Sequence, residues 1–100
     1  MNLRFLAVAQ QELDEAYNWY EMQSAGLGRQ LISEVLVAAK RISRFPESCH
    51  EIATDIRRCL VSRFPYALIY RIDGNELFVL AVMHQHRKPS YWQERMKLTK

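Results

Sequence analysis

The apolar residues of this 100-residue chain change their period once, and that change constrains the fold more than any other feature. From Gln10 to Phe45 they recur every three or four residues, the spacing of one helix face. From Ile56 to His84 they alternate or run on, as strand residues do. A helical half and a stranded half each expose an apolar face, and each can bury it only against the other.

The helical half opens after "LRFLAV" (3–8), which reads as a short first strand. Leu13, Ala16, Tyr17 and Tyr20 then fall at i, i+3, i+4 and i+7. Glu12, Asp14 and Glu15 sit in the first turns of this helix, where carboxylates suit the helix dipole. "SAGLG" (24–28) breaks it, since glycine supplies the backbone freedom of a tight reversal. In the second helix Leu27, Leu31, Val35, Ala38, Ile42 and Phe45 form one stripe, widened by Ile32, Leu36 and Ala39. Lys40, Arg41 and Arg44 lie in its last turns, and Pro46 stops it. So short a connection predicts an antiparallel helical hairpin.

"PESCHEIATD" (46–55) reads as a connector. "IRRCLVSRF" (56–64) follows, with Arg57, Cys59, Val61 and Arg63 on one face and Arg58, Leu60 and Ser62 on the other. Pro65 marks a turn. "YALIYRI" (66–72) has the β-branched and aromatic residues that strands prefer. "DGN" (73–75) is a hairpin signal, because Asp-Gly and Gly-Asn tolerate positive φ. "ELFVLAVMH" (76–84) is apolar on both faces, as a central strand should be. Even spacing predicts that His84 shares a face with Phe78, Leu80 and Val82. Pro89 opens a short last helix, "SYWQERMKL". The expected fold class is α+β, in the order β-α-α-β-β-β with a short C-terminal helix. The hairpin covers one face of a mainly antiparallel sheet; the other face is partly open and carries arginines. One domain spans residues 1–100.

About half the residues are apolar, too many for a disordered chain. The start has no basic flank, long apolar core and cleavage site of a secretory signal, and no apolar run approaches the ~20 residues of a membrane span. A soluble cytoplasmic protein with no membrane partner is expected. Cys49 and Cys59 are too few for a disulfide framework and read as reduced thiols. Charge is unevenly placed: residues 1–56 hold five Lys/Arg against eight acids, whereas 57–100 hold nine against three. That leaves −3 and +6, and a basic half suits an acidic partner such as a nucleic acid or an acidic protein segment.

Three stretches, "ELDEAYNWYE…GLGRQLISEV", "RRCLVSRFPYALIYRI" and "LFVLAVMHQHRKPSYWQER", together resemble the RelE/ParE family of toxins from bacterial type II toxin–antitoxin modules, most closely its ParE branch. The resemblance spans roughly residues 3–96. It implies the fold just derived and a toxin silenced by a cognate antitoxin, which by family analogy binds its own operator DNA, in a toxin–antitoxin hetero-oligomer. ParE-like members poison DNA gyrase and are not regarded as enzymes. RelE-like members are ribosome-dependent endoribonucleases acting on mRNA.

The residues favour the first activity. Cleavage by 2′-hydroxyl attack needs a base, an acid and cations on the phosphate. RelE-like nucleases commonly place lysines on the sheet, but no lysine occurs between Lys40 and Lys88. The strands carry Arg57, Arg58, Arg63 and Arg71, and arginine clamps phosphate but is a poor base. The alternative, a nuclease, would use His84 or His86 as base, Tyr91 as acid, and Arg63, Arg71 and Arg87 on the phosphate. A third reading is a non-toxic relative that retains only antitoxin binding. His84 and His86 at i, i+2 could both reach one metal, but two ligands make a weak site; no metal and no cofactor are expected. The partner-binding candidates are Trp19, which falls off its helix's buried face, with Arg57, Arg58, Arg63, Arg71, Arg87 and Trp92. For Trp92 the competing expectation is a plug over the sheet.

Overall fold

A computed structural model describes residues 1–88 and 90–99. Its elements are β1 (Asn2–Phe5), α1 (Ala7–Gln23), α2 (Leu27–Arg44), β2 (His50–Ala53), β3 (Ile56–Leu60), β4 (Tyr66–Asp73), β5 (Glu76–His84) and a 3-10 segment (Gln93–Thr99). The expectation for Pro89 lies outside the described residues. Among the described residues no helix is long and apolar enough to cross a membrane.

The sheet order is β1-β5-β4-β3-β2. β1 runs parallel to β5, and the remaining pairs are antiparallel. The parallel pair needs a crossover, which the helical hairpin provides. Leu13 and Ala16 of α1, with Leu31, Val35 and Ile42 of α2, pack on one sheet face against Leu68, Tyr70, Leu77 and Val79. The hairpin turn is latched from within. Gly26 takes φ +88°, a left-handed value, and its N–H donates to Glu21 Oε2 at 3.2 Å. Arg29 N–H donates to the other Glu21 oxygen at 3.1 Å, so a carboxylate from the end of α1 satisfies donors at the start of α2. Gly28 lets the helices approach: a Cβ there would lie 2.6 Å from the Tyr17 carbonyl oxygen.

Four expectations need correction. The "connector" contains β2, a four-residue edge strand whose mostly exposed residues carry no alternating signal. β3 ends at Leu60 rather than Phe64, because Arg63 adopts φ +71° and turns the chain. Leu36 and Phe45 do not join the buried stripe of α2; both are largely exposed. The second sheet face is more covered than expected: Ile56, Ile69, Leu80 and Met83 lie beneath Trp92, with Met96 packed alongside, and Arg58 and Leu60 stay exposed on it.

A fifth correction concerns β5. Ile69 pairs with Ala81 but Tyr70 pairs with Val79, so Leu80 is an extra residue, a β-bulge. An inserted residue exchanges the two faces beyond it. Phe78 and Leu80 therefore face the Trp92 side while Val82 faces the helices. His84 keeps Val82's side, and the predicted common face for all four is broken.

Candidate functional site

β1 pairs with β5 only as far as Val79, followed by the Leu6 N–H bond to the Val79 carbonyl. Beyond that point no strand among the described residues pairs with the outer edge of β5. Its Leu80 carbonyl accepts from Arg95 Nη1 at 3.0 Å, and its Val82 N–H donates to Glu12 Oε1 at 3.0 Å. Glu12 and Arg95 also grip each other: Nη1 to Oε1 at 2.8 Å and Nη2 to Oε2 at 3.1 Å, a bidentate pair. Their side chains are 17% and 18% exposed, so solvent reaches the pair only slightly. The Tyr91 hydroxyl donates to Glu12 Oε2 at 2.9 Å. Burial first, then this bond, holds the Tyr91 phenol well above its ordinary pKa. The hydrogen bond from Arg95 to Glu12 likewise raises the guanidinium, against the opposing effect of burial.

This clip fixes one wall of an open cleft of about 290 Å³ between α1 and the end of β5. Trp19 of α1 stands at its rim, 57% exposed. An aromatic band crosses from there: Trp19 meets Tyr20 edge-on at 4.9 Å, Tyr20 meets Tyr66 at 6.3 Å, and Tyr66 meets His84 at 5.1 Å. His84 and His86 lie 5.2 Å apart, and the His86 N–H donates to His84 Nδ1 at 3.1 Å. That bond makes Nδ1 the acceptor and holds the ring in one orientation. The Arg87 guanidinium stacks 4.2 Å above the Tyr91 ring, an exposed cation held over a fixed aromatic face.

The structure thus gathers Trp19, His84, His86, Arg87 and Tyr91. It does not bring the other candidates to them. Arg71 pairs with Phe78, six residues along β5 from His84 or roughly 20 Å. Its guanidinium donates to Thr99 Oγ1 and the Met96 carbonyl on the opposite face. Arg63 reaches α2, donating to Gln30 Oε1 at 3.2 Å beside Glu34 at 3.7 Å. Arg57 donates to the carbonyls of Glu47 and Cys49, so it ties β3 to the preceding loop. Trp92 is buried as a plug and has no surface to offer a partner. Arg58 is exposed beside Leu60 on a separate part of the surface. Among the described residues no group of three or more His, Cys, Asp or Glu is placed to hold a metal ion.

Sequence reasoning missed Glu12 and Arg95. The signal was present: Glu12 lies three residues after Ala9 and four before Ala16, squarely on the buried stripe of α1. A carboxylate there calls for a buried cation. α1 begins at Ala7 with no acid in its first turn, so the dipole reading of Glu12 does not apply.

The family model described as "ParE toxin of type II toxin-antitoxin system, parDE" matches residues 3–89. No curated protein sequence matches the chain. Among solved structures, one titled "Chromosomal ParDE TA system from P. aeruginosa" superposes with a TM-score of 0.73 over 84% of this chain and 95% of that one. The two are 17% identical, so this match speaks to the fold.

Proposed function

This chain belongs to the ParE family of toxins of type II toxin–antitoxin systems, and from that premise we propose that it inhibits DNA gyrase by binding it, without catalysis. The observation that carries this reading is the state of the Tyr91 phenol. The one candidate acid of the cluster donates a hydrogen bond to Glu12 and stacks under Arg87. It is thereby a fixed part of a binding surface rather than a group free to protonate a leaving oxygen. Trp19 and Arg87, both exposed at that cleft, have the chemistry of interface anchors. The second sheet-face arginine, Arg71, is held inside the fold and adds no phosphate clamp.

The proposal is tested by adding the purified toxin to gyrase with relaxed plasmid and scoring supercoiling. Supercoiling falls with wild type, and Trp19→Ala and Arg87→Ala lose at least about tenfold in potency while retaining the wild-type melting temperature. Undiminished supercoiling at excess toxin refutes it.

One observation favours the nuclease as a second reading: the His86 N–H donates to His84 Nδ1 and so holds that imidazole in one orientation. Primer extension on translated mRNA would then show ribosomal A-site cuts that His84→Ala abolishes. Growth unaffected by induced expression would instead favour the antitoxin-binding relative.

Neutralisation by a cognate antitoxin belongs to the same proposal. Leu36 and Val37 of α2 are exposed, with Phe45 just beyond the helix and Lys40 and Arg44 nearby. An amphipathic helix with acidic flanks fits such a surface.

A further inference from the structure

The two cysteines, expected to be reduced thiols, are placed together for chemistry. The Arg41 Nη2 lies 2.8 Å from Cys59 Sγ and 3.8 Å from Cys49 Sγ, so both sulfurs share one guanidinium nitrogen. His50 pairs with Arg58 in the β2–β3 ladder. Continuing that antiparallel register by one residue sets Cys49 opposite Cys59. Directly opposed residues in such a ladder have Cα atoms about 4.5–5.5 Å apart. A disulfide accepts about 4.4–6.8 Å.

The two thiols differ in access. Cys59 is fully buried, whereas Cys49 is partly exposed and lines an open cleft of about 650 Å³. Arg41, His50 and Arg58 line the same cleft. Its charged lining is cationic, which favours an anionic visitor.

We propose that Cys49 and Cys59 are an oxidisable dithiol whose substrate is an anionic low-molecular-weight disulfide, with Cys49 attacking and Cys59 resolving. The Cys49 thiolate attacks one sulfur of the small disulfide; that S–S bond breaks and one small thiolate leaves and takes up a proton. Cys59 then loses its proton to solvent and attacks Cys49 Sγ, expelling the second small thiol. The protein dithiol is oxidised by two electrons and the small disulfide is reduced to two thiols.

The electrostatics agree with this division of roles. Burial pushes the Cys49 thiol up, but the neighbouring Cys59, Ser48, Tyr70 and Arg41 side chains together hold it below the ordinary value. Burial and the neighbouring Cys49 push Cys59 up to about 11. The more acidic, more accessible thiol reacts first.

The test incubates the purified protein with oxidised glutathione, and separately with cystamine as a cationic disulfide. Wild type ends lighter by two hydrogens, and its non-reduced peptide map joins Cys49 to Cys59. Cys59→Ala stops at a glutathione adduct on Cys49, Cys49→Ala takes up none, and Arg41→Gln reacts several-fold more slowly. Glutathione outpaces cystamine by at least about threefold at low salt, an advantage that salt screens. The proposal is overturned by a wild-type map without the Cys49–Cys59 link, which needs no variant to fold. Adducts on Cys49→Ala, or cystamine reacting as fast as glutathione, overturn the assigned roles and the anionic substrate.

Discussion

Replacing Glu12 should unseat three elements at once. Its carboxylate accepts from the Val82 N–H, from Tyr91 and twice from Arg95. In Glu12→Ala the Arg95 cation keeps only the Leu80 carbonyl among these partners, and the Val82 N–H loses its acceptor. Breaking a buried ion pair from one side costs about 3–5 kcal/mol. Here both side chains keep a little under a fifth of their exposure, so water recovers part of that and about 2–4 kcal/mol is expected. For a 100-residue chain this lowers the melting temperature by roughly 10–20 °C. Far-ultraviolet circular dichroism melts of Glu12→Ala, Arg95→Met and the double variant form the assay. The double variant should lose less than the two singles combined by at least about 1.5 kcal/mol, because removing both partners leaves no stranded charge. Strict additivity, or a single-variant loss below about 0.5 kcal/mol, refutes the claim that this pair closes the β5 edge.

Three further outcomes follow from the packing. Gly28→Ala should destabilise by about 1–3 kcal/mol despite the better helix propensity of alanine, since the Tyr17 carbonyl cannot move out of the way; an unchanged urea midpoint counts against this. Trp92→Ala should cost about 3–5 kcal/mol, whereas Trp92→Phe should cost much less, because the indole Nε1 has no hydrogen-bond partner among the described residues; equal losses in denaturant titrations contradict the plug. The Gly26 N–H bond first, with the Arg29 and Gly28 N–H groups, holds the Glu21 carboxyl below its ordinary value despite some desolvation. A carboxyl lowered on folding stabilises above its unfolded pKa, about 4.3, and loses that contribution as pH falls through the folded value. Glu21→Gln should therefore trail wild type at neutral pH and converge with it in acid; parallel stability curves across that range would contradict the latch.

Much of the fold was legible because period and punctuation agree. The α1 and α2 stripes, the Asp-Gly-Asn hairpin and the limits of β5 all follow from residue spacing. What escaped were features set by single residues or by distant partners. β2 has four residues and one half-buried side chain, so its sequence carries no alternation to read. Leu80 looks like any apolar strand residue, yet as a bulge it reversed the face assigned to Val82 and His84. A plug was among the expectations for Trp92, but Met96 folding back beside it is not encoded in local pattern. For the site, the cluster of His84, His86, Arg87 and Tyr91 was visible because it is local. The disposal of Arg57, Arg63 and Arg71 was not, because strand parity tells which way a side chain points and not what it meets.

The clip at β5 joins residue 12 to residues 91 and 95. Glu12 precedes β5 in the chain and can take the Val82 N–H as soon as that strand is in place, whereas the Leu80 carbonyl waits for Arg95, which follows every strand. The rim is thus shut in two stages, and a molecule whose Arg95 has not docked shows one unpaired carbonyl there.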